Sequence, residues 1–283
     1  MERPSLYVVA TPIGNLADIT LRALEVLKRV GAIAAEDTRV TARLLTHYGI
    51  GAPLIALHEH NERRAAQKIL RLLAQGNSVA MVSDAGTPAI SDPGAIVVAL
   101  VREAGYPVVP VPGANAAAAA LSAAGSAAPH FLFYGFLPQS GAARRRELAA
   151  LKTYPYLLVF YEAPHRVIAS VADMAAAFGA ERTLTIAREL TKLFESFHTC
   201  KLGTAAAWLA ADANRTKGEF VLLVEGAPEA AAADSGAAQR ALEILLRELP
   251  LKQAVKLAAQ IGGGGRNELY KLALEMKKTG EQR

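Results

Sequence analysis

The chain has 283 residues, of which 52% are hydrophobic and 20% charged, a composition that suits two folded domains with an appendage and excludes a chain disordered overall. Its single cysteine, Cys200, excludes a disulfide framework and a multi-cysteine zinc site, so no metal ligands are assigned. The net charge of +5 is uneven: from Arg240 to Arg283 nine Lys or Arg stand against five Asp or Glu, so the tail reads as a polyanion contact or, more simply, as a solvated charged surface.

The first 125 residues alternate apolar runs with helical patterns. Leu6–Ala10 predicts a strand, and Leu21, Leu24, Leu27 and Val30 recur at helical spacing before Gly31. Ala32–Ala35 predicts a strand, Thr38–His47 a helix and Leu54–Leu57 a strand. Glu62–Ala74 predicts a helix with Asn61 as its N-cap, and Val79–Val82 the next strand. Asp92 is expected to cap a helix that has Pro93 at its first position, followed by a strand at Val108–Val111 and a helix at Ala114–Ala123. Such alternation predicts a largely parallel sheet covered by helices.

After Gly125 the character changes. Strands are predicted at Phe131–Tyr134, Tyr156–Tyr161, Thr183–Ala187, Phe194–Cys200 and Glu219–Val224, with helical patterns near 143–151, 166–177 and 204–211. Short connections favour a mixed or antiparallel sheet in a second α/β domain, over 126–226. Residues 227–238 read as an alanine-rich linker. Three helical pieces follow over 239–283, the last two joined by Gly262-Gly263-Gly264-Gly265, as in a helix-turn-helix or a helical cap. No run of about eighteen apolar residues predicts a membrane span, and without an apolar leader a cytoplasmic setting is expected.

The most informative feature is the loop Ser83-Asp84-Ala85-Gly86-Thr87-Pro88, directly after an apolar strand. Three more polar, glycine-containing loops share its form: 10–15, 91–94 and 111–115. In an open α/β sheet the carboxyl ends of strands hold small ligands, and glycine allows close backbone approach. Neither a dinucleotide fingerprint nor a phosphate-loop Lys-Ser/Thr occurs, so a ligand combining a nucleoside with an amino or carboxylate group fits better.

Several polar clusters offer chemistry beside a plainer reading. Glu36-Asp37-Thr38-Arg39 either orients substrate and accepts a proton or caps the following helix. In Glu162-Ala163-Pro164-His165-Arg166, His165 is a candidate base, and Arg166 holds a phosphate or pairs with Glu162. Arg188-Glu189-Leu190-Thr191-Lys192 lines an active site, meets RNA phosphate or forms a salt-bridged surface loop. Arg144-Arg145-Arg146 is a solvated helix face or a phosphate contact. His58 and His60 lack metal-ligating company and are candidates for a substrate groove; Trp208 reads as core or interface.

In this order, these motifs, together with Thr11–Leu16, Pro112-Gly113, Gly135–Pro138, Phe160-Tyr161-Glu162 and Lys217-Gly218-Glu219, resemble the bacterial small-subunit rRNA 2′-O-ribose methyltransferases of the tetrapyrrole (corrin/porphyrin) methylase superfamily. The resemblance runs from about Leu6 to Gly226 and extends to the basic tail. It implies two α/β domains of the tetrapyrrole methylase type with a cofactor cleft between them, plus a small C-terminal helical (helix-turn-helix-like) module. It also implies S-adenosylmethionine as donor, a cytidine ribose in the decoding region of 16S rRNA as acceptor within the small ribosomal subunit, and a homodimer. Cofactor roles carry over to Pro12, Gly14, Asp84, Gly86, Thr87, Gly113, Asn115, Ala116, Phe160 and Tyr161.

The catalytic candidates are Asp37, Lys192, Glu36, His165 and Glu189, with Asp37 and Lys192 first. RNA contacts are expected at Arg39, Arg144, Arg145, Arg166, Lys252, Lys256, Arg266 and Lys271. A tetrapyrrole C-methyltransferase and a non-catalytic ribosome assembly factor are the alternatives.

Overall fold

The computed structural model describes residues 3–228, 237–262 and 265–280. The strands β1 (Leu6–Val9), β2 (Ala32–Ala35), β3 (Leu54–Ala56), β4 (Val79–Val82) and β5 (Val108–Val111) form a five-stranded sheet in the order β3-β2-β4-β1-β5. Every pairing in it is parallel. The helices α1 (Leu21–Arg29), α2 (Thr38–His47), α3 (Glu62–Ala74) and α4 (Ala95–Glu103) make the crossovers.

Helices cover both faces, so β2 and β4 are buried at every position. Alternate residues of these strands serve different cores. Ile33, Ala35, Ala80 and Val82 pack with α1 residues such as Leu27, while Ala34, Val79 and Met81 pack with Ile69, Leu73 and Val97 of α3 and α4.

The second sheet comprises β6 (Phe131–Phe136), β7 (Leu157–Glu162), β8 (Thr183–Arg188), β9 (Ser196–Lys201) and β10 (Phe220–Val224), in the order β6-β7-β10-β8-β9. Only β6 and β7 run parallel within it. One face packs on α6 (Gly141–Leu151), α7 (Val167–Phe178) and α8 (Leu202–Ala210). The other receives α5 (Ala116–Ala123), whose Ala117 and Ala120 pack against Val159, Val221 and Leu223. The helix that closes the first sheet's chain thus anchors the second sheet beside it.

The tail forms α9 (Ala237–Glu248), α10 (Leu251–Gly262) and α11 (Arg266–Gly280) around its own small core of Leu242, Val255 and Leu269. Most of the expected linker, and Gly263-Gly264, lie outside the described residues. No helix among those residues is long and apolar enough to cross a membrane.

Local expectations hold where the deciding contacts are local. The bounds of α2 and α3 are those read from the sequence, and Asp37 does cap α2, accepting the Arg39 N–H. Asn61 occupies the cap position of α3 but makes no side-chain cap bond. The largest departure is at α4, which starts at Ala95 with neither Asp92 nor Pro93 in its cap. The Glu62 carboxylate, from α3, accepts the N–H groups of Gly94 and Ile96 at 3.0 and 3.1 Å and does the capping from across the domain.

Candidate active site

A cavity of about 340 Å³ lies between the carboxyl edge of the first sheet and the second sheet. The β4 loop supplies Asp84, Gly86 and Thr87, β2 delivers Glu36, and the start of α5 adds Asn115 and Ala116. Across the cleft stand Phe136, Tyr161 and Leu190 from the second sheet. Four loops far apart in sequence therefore surround one space.

Hydrogen bonds pin these walls together. Thr11 and Gly86 exchange backbone hydrogen bonds of 2.8 and 3.0 Å, joining the β1 and β4 loops. The Asp37 N–H donates to Asp84 Oδ1 at 2.8 Å, and the Asp84 N–H to Glu36 Oε2 at 3.4 Å. Thr87 donates its hydroxyl hydrogen to the Ala114 carbonyl at 3.2 Å. The Tyr161 hydroxyl accepts the Ala117 N–H at 3.2 Å, reaching from the second sheet to the first turn of α5. Burial raises the Tyr161 pKa above its ordinary value, and the nearby Asp92 carboxylate adds to this.

The floor is acidic. Asp92 lines the cavity with Glu36 and Asp84. Burial pushes the Asp92 carboxyl up to about 6; Glu36 and Asp84 push the same way, while a hydrogen bond from Ser83 opposes them. The Glu36 pKa is raised too, chiefly by burial; the hydrogen bond from the Asp84 N–H opposes this, and the charges of Asp84 and Asp37 add to it. Like charges gathered in a half-buried space favour a cationic ligand, which would relieve their repulsion.

Two walls also carry backbone strain. The non-glycine residues with positive φ are Ala89 (65°), Ser91 (64°), Glu189 (53°) and Thr191 (64°) among the described residues. Between the first two sits Ile90 and between the last two Leu190, and both line the cavity. A left-handed conformation costs an L-residue roughly 1–2 kcal/mol. Both loops accept that cost and present their central apolar side chain to the cleft.

The family model described as Tetrapyrrole (Corrin/Porphyrin) Methylases matches residues 5–206. The chain belongs to the tetrapyrrole methylase family. A second model, described as the RsmI C-terminal HTH domain, matches residues 232–277. A protein named Ribosomal RNA small subunit methyltransferase I from Pseudomonas aeruginosa is 50% identical over 277 residues, covering 97% of this chain and 98% of that protein. The protein of that name from Escherichia coli O157:H7 is 52% identical over 272 residues, covering 96% and 95% respectively. Solved structures of cobalt precorrin-4 methyltransferase and of the methyltransferase CobJ share the fold, with TM-scores of 0.59 and 0.60 at 17% and 19% identity. They cover 78% and 79% of this chain and 94% and 95% of their own.

Within this tetrapyrrole methylase several expected cofactor residues do not line the cavity. Phe160 is fully buried in the core beside Leu158 and Leu184, because strand alternation sends it to the face opposite Tyr161. Pro12 is buried, and Gly113 packs against Ala10. Gly14 serves close approach instead: a Cβ there would lie 2.5 Å from Lys192 Cγ and 3.0 Å from the Leu190 carbonyl.

The catalytic candidates separate clearly. Arg39 hydrogen-bonds Asp37 and holds its carboxyl down at about 2, which makes it a poor proton acceptor. Burial disfavours the Lys192 ammonium, but hydrogen bonds to Glu189 (2.7 Å) and Glu219 (2.8 Å) outweigh it, and its pKa is raised. Burial likewise raises Glu189, yet the Lys192 contact and the Glu219 N–H bring it below its ordinary value. His165 is exposed and does not line the cavity. Glu36 alone of the five lines the cleft.

The RNA candidates divide by burial. Arg144 is buried with its guanidinium 2.7 Å from Asp173, and Arg166 lies 2.6 Å from the buried Glu162, so both are interior ion pairs rather than surface contacts. Arg145 also reaches Asp173, at 3.3 Å, but stays 59% exposed. Arg39, Lys252, Lys256, Arg266 and Lys271 are exposed.

Residues the sequence did not assign to the cavity include Asp92, Ile90, Phe136, Leu190 and Glu219. The Ser91–Gly94 loop carried a signal, as one of the four polar strand-end loops. The apolar members carried none of their own, since a Phe at the end of a strand or a Leu in a loop has no local mark of its neighbours. Trp208 stacks on His198 at 3.6 Å under the Arg215 guanidinium, away from the cavity lining.

Proposed function

We propose that this tetrapyrrole methylase methylates the RNA of the small ribosomal subunit, taking the methyl group from S-adenosylmethionine and placing it on the ribose 2′-oxygen of a cytidine in the decoding region. One observation carries the reading: relatives named Ribosomal RNA small subunit methyltransferase I are 50–52% identical to this chain over nearly its whole length, tail included. A homodimer is part of the same reading.

The cavity's chemistry fits the donor. Its carboxylates Glu36, Asp84 and Asp92 suit a sulfonium and an ammonium, and Ile90, Phe136 and Leu190 offer apolar surface to a purine. S-adenosylmethionine would supply an electrophilic methyl group there. The protein's own residues orient the partners and exclude water, which accounts for much of the acceleration in such a transfer. Glu36, with its raised pKa and its place in the cleft, is the group we assign to accept the ribose hydroxyl proton. Lys192, locked between two carboxylates, positions the Glu189–Thr191 wall against the Gly14 loop.

Labelled methyl transfer to small subunits lacking the modification tests the reading. Label in the ribose 2′-position of the RNA is expected; label in a porphyrinoid with none in RNA would favour the C-methyltransferase alternative. Absence of donor binding would favour an assembly factor.

The acidic floor adds a pH dependence. Asp92 titrates at about 6, so at pH 7.5 it is ionised and attracts a cation, whereas at pH 5.5 it is mostly neutral. The affinity advantage of S-adenosylmethionine over S-adenosylhomocysteine, which lacks the sulfonium charge, should therefore shrink about threefold between those pH values for a carboxylate pKa near 6. Calorimetric titration of both ligands checks this, and Asp92→Asn should flatten the dependence.

A further inference from the structure

A second cavity, of about 310 Å³, opens at the β3 end of the same sheet edge. Its lining comprises Ala56 at the end of β3, His58 and Asn61 in the following turn, and Arg64, Ala65 and Lys68 on α3. The turn is fixed in place: the Asn61 side chain accepts the His58 N–H at 2.9 Å and donates to the Ala56 carbonyl at 3.2 Å. Arg64 and Lys68 stand one helical turn apart and share a face. Both are exposed, and no ion pair joins either to a carboxylate among the described residues.

No acid lines this hollow. The one acidic residue of α3, Glu62, is turned away to cap α4, while Arg63, Arg64, Lys68 and Arg71 stay on the helix. The placement bears on the cleft. Strand β3 pairs in parallel with β2, so the basic hollow neighbours the strand end that delivers Glu36 to the acidic cavity and Arg39, 86% exposed at its side chain, to the surface. Carboxylates that suit a cationic donor repel a polyanionic acceptor. An RNA strand reaching that cleft needs cations just outside it.

We propose that the His58–Arg64–Lys68 hollow is an RNA subsite that grips a backbone phosphate of the acceptor strand, distinct from the contacts of the C-terminal helices. This rests on the RNA-methylation reading above. Guanidinium and ammonium groups one turn apart make charge-assisted hydrogen bonds to phosphate oxygens, and each phosphate so held releases counterions.

The test compares Arg64→Ala/Lys68→Ala with a control of equal charge loss, Lys28→Ala/Arg102→Ala, whose sites lie in the last turns of α1 and α4. Binding of a decoding-region fragment of small-subunit RNA is measured across a salt series, with methyl-transfer kinetics alongside. The double variant should bind at least about tenfold more weakly at low salt, with a log–log salt slope shallower by about one, the loss of one phosphate contact. The KM for RNA should rise while kcat and donor affinity hold, and Arg64→Lys/Lys68→Arg should restore binding. A double variant no weaker than the control overturns the subsite while leaving methylation intact. Inorganic phosphate that occupies this hollow with RNA binding untouched assigns it a free anion, and also overturns it. A wild-type protein that neither binds nor methylates RNA overturns the function reading itself.

Discussion

Replacing Glu36 with Gln is expected to lower kcat for RNA methylation by about two to four orders of magnitude, the usual contribution of a positioned general base, with a smaller loss of donor affinity because one carboxylate leaves the acidic floor. The substitution keeps the shape and one acceptor oxygen for the Asp84 N–H, and removes the negative charge and the basicity. The choice of residue follows from the electrostatics. Asp37 is pinned near 2 by Arg39, and Lys192 is held protonated by two carboxylates, whereas burial and its acidic neighbours raise Glu36. A base must be deprotonated to act, so wild-type kcat should climb as pH rises through the raised Glu36 pKa, and the variant should lose that limb. Asp37→Asn, which keeps a side-chain acceptor for the α2 cap, should instead cost little stability and much less activity. A Glu36→Gln enzyme within tenfold of wild type in single-turnover transfer would sink the assignment.

Glu162→Ala is expected to destabilise the protein by about 3–5 kcal/mol, the cost of leaving one half of a buried ion pair unpaired. The Glu162 side chain is 1% exposed. It accepts the Ala163 N–H at 2.8 Å, the Arg166 Nε–H at 2.7 Å and the Ser170 hydroxyl at 2.5 Å. Truncation strands the Arg166 guanidinium, whose side chain is 13% exposed, and the fully buried Ser170. Urea denaturation should show a lower midpoint at an unchanged m-value. Glu162→Gln, which keeps an acceptor but loses the charge, should fall between the two. A loss under about 1 kcal/mol on truncation would show that the pair is solvated rather than buried.

Much of the architecture was legible residue by residue. Alternating apolar runs and helical spacing located the strands of both sheets, and Asp37 announced the start of α2. Asp84, Gly86, Thr87, Asn115, Ala116 and Tyr161, read as cofactor residues, do line one cavity. The run Arg144-Arg145-Arg146 shows where such reading stops. Three adjacent arginines look alike in sequence, yet Arg144 is buried on Asp173, Arg145 is shared with it, and Arg146 is 79% exposed at its side chain. The Asp92 loop shows the same boundary from the other side. Aspartate before Pro-Gly reads as a helix cap, but the carboxylate of Glu62, thirty-two residues before Gly94, had already satisfied those N–H groups.

The sequence by itself determined most of the elements and the strand-end loops, because propensity, capping and periodicity depend on neighbours within a turn or two of the chain; the family was legible only through the resemblance of its ordered motifs. Only the tertiary structure decided which charges are spent on one another and which remain for a ligand. Long charged side chains take their pKa and their partners from groups tens of residues away. That is why Arg144 became the counter-ion of Asp173, Lys192 reached Glu219 as well as its neighbour Glu189, and Asp92 became part of an acidic floor.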